Sequence, residues 1–221
     1  MHSQNDNNNA VSVIKKIDLL NAQADEARKT KPQASLEVCL EAISLGKETS
    51  YKKGLAKSYL LAGISSRALS SFDNSFEYNE KALELYKETE DVKGESRAQN
   101  AIGNVYYSLG NYKKALDNFN ESLELIAVTD DKEFEATVLS NIGLAYQEDG
   151  NIEKSLENYF SSIEMYSVLD KPVPHTLLNN IGIVFQEIGD FNAAYNLLLD
   201  RTISQKIFVL LGNQKLLCLT F

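Results

Sequence analysis

One segment of this chain is copied along its length, and that constrains the fold more than any single residue does. AIGNVYYSLGNYKKALDNFNESLEL (Ala101–Leu125) returns as NIGLAYQEDGNIEKSLENYFSSIEM (Asn141–Met165) and again, decaying, as NIGIVFQEIGDFNAAYNLLLD (Asn180–Asp200). Gly103, Gly143 and Gly182 mark the same point in three copies, 40 and 39 residues apart. Self-similarity at such a period means a stacked array, in which each unit buries its apolar face only against its neighbours.

Read in order, residues 1–9 form a polar lead with four Asn, a Gln and an Asp, too little apolar surface to fix a backbone, and are expected to be disordered. From Ala10 the pattern is helical: Val11, Ile14, Ile17 and Leu19-Leu20, then Ala22, Ala24 and Ala27. Pro32 suits the first turn of a following helix, whose apolar stripe is Ala34, Leu36, Cys39, Leu40, Ile43 and Leu45. The later copies turn at Ser70-Ser71, Gly110-Asn111, Gly150-Asn151 and Gly189-Asp190. Each places a small residue at a helix end and a capping side chain at the next start. Short polar joints follow, with Asp91 and Asp131 as N-caps and Pro172 and Pro174 opening a helix. The expected array therefore covers 10–200, in copies 10–49, 50–89, 90–129, 130–169 and 170–200: five antiparallel helix pairs with no strand and no domain linker. Beyond it, 201–221 is apolar and out of register, a divergent cap, a self-association surface, or the mark of a chain cut short of a longer parent.

Composition removes several function classes. With 22 basic against 31 acidic residues, a net charge of −9, the chain repels a phosphate backbone. Cys39 and Cys218 have no Cys or His neighbours at ligand spacing, so neither disulfide nor metal site is expected, and a reducing, cytoplasmic setting is. The start lacks a secretory pattern, and the apolar runs Ile207–Leu211 and Leu216–Phe221 are too short to span a membrane. His2 and His175 belong to no catalytic constellation, and no phosphate loop follows a strand; no enzyme activity and no cofactor are expected. Asn120-Glu121-Ser122 matches a glycosylation acceptor by chance.

Gly103, Tyr106, Tyr112, Ala115, Phe119 and Ser122, then Gly143, Tyr146, Ile152, Ser155, Tyr159 and Ser162, resemble the pattern of a tetratricopeptide repeat. Gly182, Phe185, Phe191, Ala194 and Leu198 continue it; the second copy follows less closely and the first weakly, with Gln23 and Pro32 at the glycine and aromatic places. The spacing departs from that family's period of about 34 residues by more than a helical turn. It is similar to LGN-type adaptors, kinesin light chains and bacterial Rap and PlcR-type receptors. The resemblance implies an all-α, right-handed superhelix whose first helices line a concave groove, and a scaffold or adaptor binding a protein or extended peptide there. It equally accommodates the sensory region of a bacterial signalling protein whose kinase or cyclase domain is absent from these residues.

The groove positions implied in this way are Arg97, Asn100, Asn104 and Tyr107 in the third copy, Asn141 and Gln147 in the fourth, and Asn179, Asn180 and Gln186 in the fifth. An amide side chain both donates and accepts, so a row of amides suits a peptide backbone whatever its side chains. The opposing reading is that Asn beside the repeat glycine only satisfies its own helix. Lys57, Arg67 and Arg97 at one end and Glu148 and Glu187 at the other add a charge polarity that would orient a ligand. The lysine-rich carboxylate clamp of chaperone-binding members is missing, its places being held by Leu60, Asn100, Ser140 and Asn179.

Overall fold

A computed structural model describes residues 2–189, with side chains from Val11 onward except those of Gln186 and Ile188. The described helices are α1 (His2–Ala27), α2 (Pro32–Lys47), α3 (Lys52–Ala68), α4 (Phe72–Glu88), α5 (Val92–Ser108), α6 (Tyr112–Ala127), α7 (Lys132–Glu148), α8 (Ile152–Val168) and α9 (His175–Ile188). Among the described residues there is no strand. The pairs α1/α2, α3/α4, α5/α6 and α7/α8 are the first four copies, and α9 opens the fifth. The second helix expected over 190–200, with Phe191, Ala194 and Leu198, and the tail 201–221 lie outside the described residues.

The turn chemistry read from sequence sets the helix ends. Gly110 and Gly150 take left-handed backbone at φ 72° and 80°, and Ser70 holds the same place at φ 59° despite its Cβ. Asn111 and Asn151 then cap α6 and α8, each side-chain oxygen accepting from the backbone N–H of Lys114 or Lys154 at 3.2 Å. Asp91 caps α5 through Gly94 N at 2.9 Å. Pro32 opens α2, and Pro174 stands just ahead of α9.

The first helix departs from expectation. Helical backbone runs from His2, through the stretch predicted to be a disordered lead. Nucleation is the costly step in helix formation; with 11–27 held by packing, each further residue adds one hydrogen bond to an existing helix. The buried face of α1 is Ile17, Leu20, Asn21 and Ala24, while Leu19 points outward at 59% exposure, as does Leu40 on α2. Leu19 and Leu20 are about 100° apart on a helix, so only one of such a pair meets the core.

The chain divides into two compact units at Asp131 and Lys132, the joint between the third and fourth copies. The first has a core drawn from α1 to α5, including Cys39, Ile43, Tyr59, Leu60, Leu61, Ala82 and Tyr86. The second packs Leu156, Tyr159, Phe160, Ile163 and Tyr166 against Leu177, Ile181 and Val184. Inside a repeat, the glycine of the first helix and the aromatic of the second fit as one contact. A Cβ at Gly103 would stand 2.6 Å from the Phe119 ring, and one at Gly143 2.6 Å from the Tyr159 ring. Small residues let the paired helices close above this contact. Ser96 Oγ donates to Ser122 O at 2.7 Å and Ser122 Oγ returns the bond to Ser96 O at 2.8 Å; Ser162 Oγ donates to Ala136 O at 2.7 Å. The third copy thus satisfies its buried hydroxyls across the helix pair.

Candidate functional site

On α5, Arg97, Asn100, Asn104 and Tyr107 fall at i, i+3, i+7 and i+10 and share one stripe of the helix. Their neighbours Ala98, Ala101, Ile102, Gly103 and Val105 are buried, which turns Arg97, Asn104 and Tyr107 away from the core, while Asn100 is itself buried. Along it the groups are already engaged to different degrees. Arg97 makes an ion pair with Asp131 and bonds Lys93 O at 3.3 Å. Asn100 is 9% exposed. Asn104 is half-buried, its Nδ2 donating to Asn100 O at 2.9 Å, which is the local helix-satisfying role. Tyr107 is half-buried, with its ring centroid 5.7 Å from that of Tyr112.

The second unit treats its expected residues differently. Gln147 on α7 is 9% exposed and serves the fold at both ends: its Oε1 accepts from the buried Tyr159 hydroxyl at 3.0 Å, and its Nε2 donates to Glu187 Oε1 on α9 at 3.3 Å. Asn141 and Asn180 are half-buried, and Asn179 is exposed. Asn141 stands at the repeat position of the buried Ala101, about 100° round the helix from the Ser140 position. The side chain of Gln186 lies outside the described residues.

Among the described residues no three His, Cys, Asp or Glu side chains are placed to hold a metal ion, and no helix is long and apolar enough to cross a membrane. Cys39 is buried, and that burial pushes its thiol up to about 12, so it stays protonated and unreactive as a core residue. Cys218 lies outside the described residues.

The sequence profile of the tetratricopeptide repeat family matches residues 54–127 and again 94–167, together more than half of the chain. The chain is a tetratricopeptide repeat protein. No curated protein sequence matches it. Its fold is similar to that of solved tetratricopeptide repeat structures. The apo form of RapI superposes with a TM-score of 0.68 at 18% identity, over 86% of this chain and 70% of that one. BtubC (BKLC) from P. vanneervenii gives 0.66 at 17% identity, over 92% of this chain and 91% of that one. A Rap protein complexed with competence and sporulation factor gives 0.72 at 16% identity, over 91% of this chain and 57% of that one. At these identities the likeness is one of fold.

In this tetratricopeptide repeat protein the aromatic pairs divide between core and surface. Tyr159 and Phe160 are both buried. Tyr106 and Tyr107 are both half-buried; the Tyr106 ring lies 4.8 Å from that of Phe76, with Lys114 Nζ 5.1 Å above it. One more polar group borders the α5 stripe: Arg67, at the end of α3, is half-buried and its Nη1 donates to Ser108 Oγ at 3.4 Å, while Ser108 Oγ donates to Asn104 O at 2.9 Å. Sequence reading named Arg67 only as a steering charge, because its distance to α5 is set by tertiary packing.

Proposed function

We propose that this protein is a non-enzymatic, cytoplasmic adaptor that captures a protein or extended peptide on the first helices of its repeats. A tetratricopeptide repeat fold is an interaction scaffold in general; the finer assignment is to Asn100, Asn104 and Tyr107 on α5, with Asn141 on α7 and Asn179 and Asn180 on α9. The observation that carries it is the α5 stripe. There the fold buries Gly103 and Val105 yet leaves Asn104 and Tyr107 half-exposed, an amide and an aromatic on one face of the helix. Support comes from the similar Rap protein that was solved with a bound competence and sporulation factor.

Affinity capture with the intact chain is compared with Asn104→Ala/Tyr107→Ala and with Asn141→Ala/Asn180→Ala. A partner lost with either double variant, while helicity by circular dichroism is unchanged, supports the assignment. A partner retained equally by both places the binding surface elsewhere. A sensory role in signalling is the second reading, favoured by the two Rap structures among its structural neighbours.

A further inference from the structure

The charges of the first unit are not spread evenly. In a chain of net charge −9, α3 carries Lys52, Lys53, Lys57 and Arg67 and no Asp or Glu, whereas every other helix of that unit mixes the two signs. The two lysines at its start are neutralised at the joint, Lys52 by Glu88 at 2.9 Å and Lys53 by Asp91 at 4.0 Å. Lys57 and Arg67 have no carboxylate within ion-pair distance among the described residues. On α5, Arg97 holds Asp131 and Glu95 faces Lys87. On α1, Asp18 accepts from the Tyr51 hydroxyl and Asp25 holds Arg28.

Lys57, Leu60, Ile64 and Arg67 repeat the i, i+3, i+7, i+10 spacing of the α5 stripe, one copy earlier. Arg67 is half-buried, and burial pulls its pKa below the ordinary guanidinium value with no opposing acid. A guanidinium stays charged at any physiological pH, so this position holds a partly desolvated cation whose hydrogen-bond partner among the described residues is a neutral hydroxyl at 3.4 Å. Its fork is shaped for two carboxylate oxygens.

We propose that the α3 stripe of Lys57, Leu60, Ile64 and Arg67, flanked by Asn104 and Tyr107 of α5, binds an acidic extended peptide, one carboxylate seated on Arg67 and a second acidic group at Lys57. This rests on the scaffold reading above and adds the ligand's charge and spacing. Ten helical positions separate the two cations, about 15 Å along the axis. An extended chain covers that distance in roughly four or five residues. Ile64, half-buried between the cations, gives an apolar floor there, so the intervening peptide side chains are uncharged.

The test is display of random octapeptides selected on the wild-type chain, on Arg67→Gln and on Lys57→Gln. Wild type is expected to enrich sequences with two Asp or Glu four or five positions apart. A selected peptide, made synthetically, then binds Arg67→Gln about tenfold more weakly and loses affinity as salt is raised. Lys57 is exposed, so its variant keeps the fold and loses acid enrichment at one end of the peptide only. Peptides enriched without acids, or bound equally by wild type and both variants, overturn the proposal. If such neutral peptides are lost with Asn104→Ala/Tyr107→Ala, the scaffold reading survives and the acidic ligand alone is wrong. If nothing enriches on any form of the chain, both fall. A thymidine oligonucleotide that competes as well as the peptide shows a nonspecific polyanion surface and overturns it too.

Discussion

The second and third copies, α3/α4 and α5/α6, use one backbone plan for different side-chain solutions. Where the third sets Phe119 against Gly103, the second sets Asn79 against Gly63, and the Asn79 Oδ1 is buried with no hydrogen-bond partner. Where the third has the reciprocal Ser96 and Ser122 pair, the second has Ala56 and Ala82. The third turns on Gly110 and caps with Asn111; the second turns on Ser70, and Ser71 makes no capping bond. Finally, Arg97 is matched by Asp131, whereas Lys57 at the same repeat place has no carboxylate within ion-pair distance among the described residues. The lesson is that a repeat fixes which positions are buried and which face outward, while partner availability at each position varies copy by copy.

Mutations sharpen that contrast. The largest effect is expected at Phe119, which is 1% exposed: Phe119→Ala loses about 3–5 kcal/mol, read as a lower urea midpoint, because it empties the contact with Gly103. Next comes the reverse change at the equivalent place in the second copy. Asn79→Leu is expected to gain about 1–2 kcal/mol by removing a buried, unpartnered oxygen. A loss there instead means that the space beside Gly63 fits nothing larger than an amide. Ser70→Gly is expected to raise stability by about 1 kcal/mol, since a Cβ strains the left-handed conformation that glycine adopts without cost. Smallest is a difference between caps. Asn111→Ala loses about 1 kcal/mol and Ser71→Ala only a few tenths, because only the first removes a bond to a helix-start N–H. Equal losses at both caps break the comparison.

Much of the fold was legible because its signals are local. The glycine turns, the Asn111, Asn151 and Asp91 caps and the proline at the start of α2 sit where sequence reading put them. The misplacements came from choices that packing makes. Leu19 and Leu20 are equally apolar, yet only Leu20 is buried; residues 2–9 lack any apolar period, yet they continue a helix nucleated downstream. The candidate site was less legible. The resemblance put Gln147 in a row of ligand-facing amides, and no sequence signal showed that Tyr159 and Glu187 take its oxygen and its nitrogen.

The sequence by itself determined an array of helix pairs of about 40 residues, with glycine, aromatic and small residues in fixed places, because helix periodicity and turn chemistry act over a few neighbouring residues. It also determined the charge of each helix, including an α3 with cations and no acid. Only the tertiary structure decided which of those charges are satisfied. Arg97 and Lys57 are cations at the same place on successive first helices, and nothing local shows that only one of them is paired. Asp131 lies 34 residues from Arg97, and helix packing alone brings the two together, just as it leaves Arg67 beside a hydroxyl.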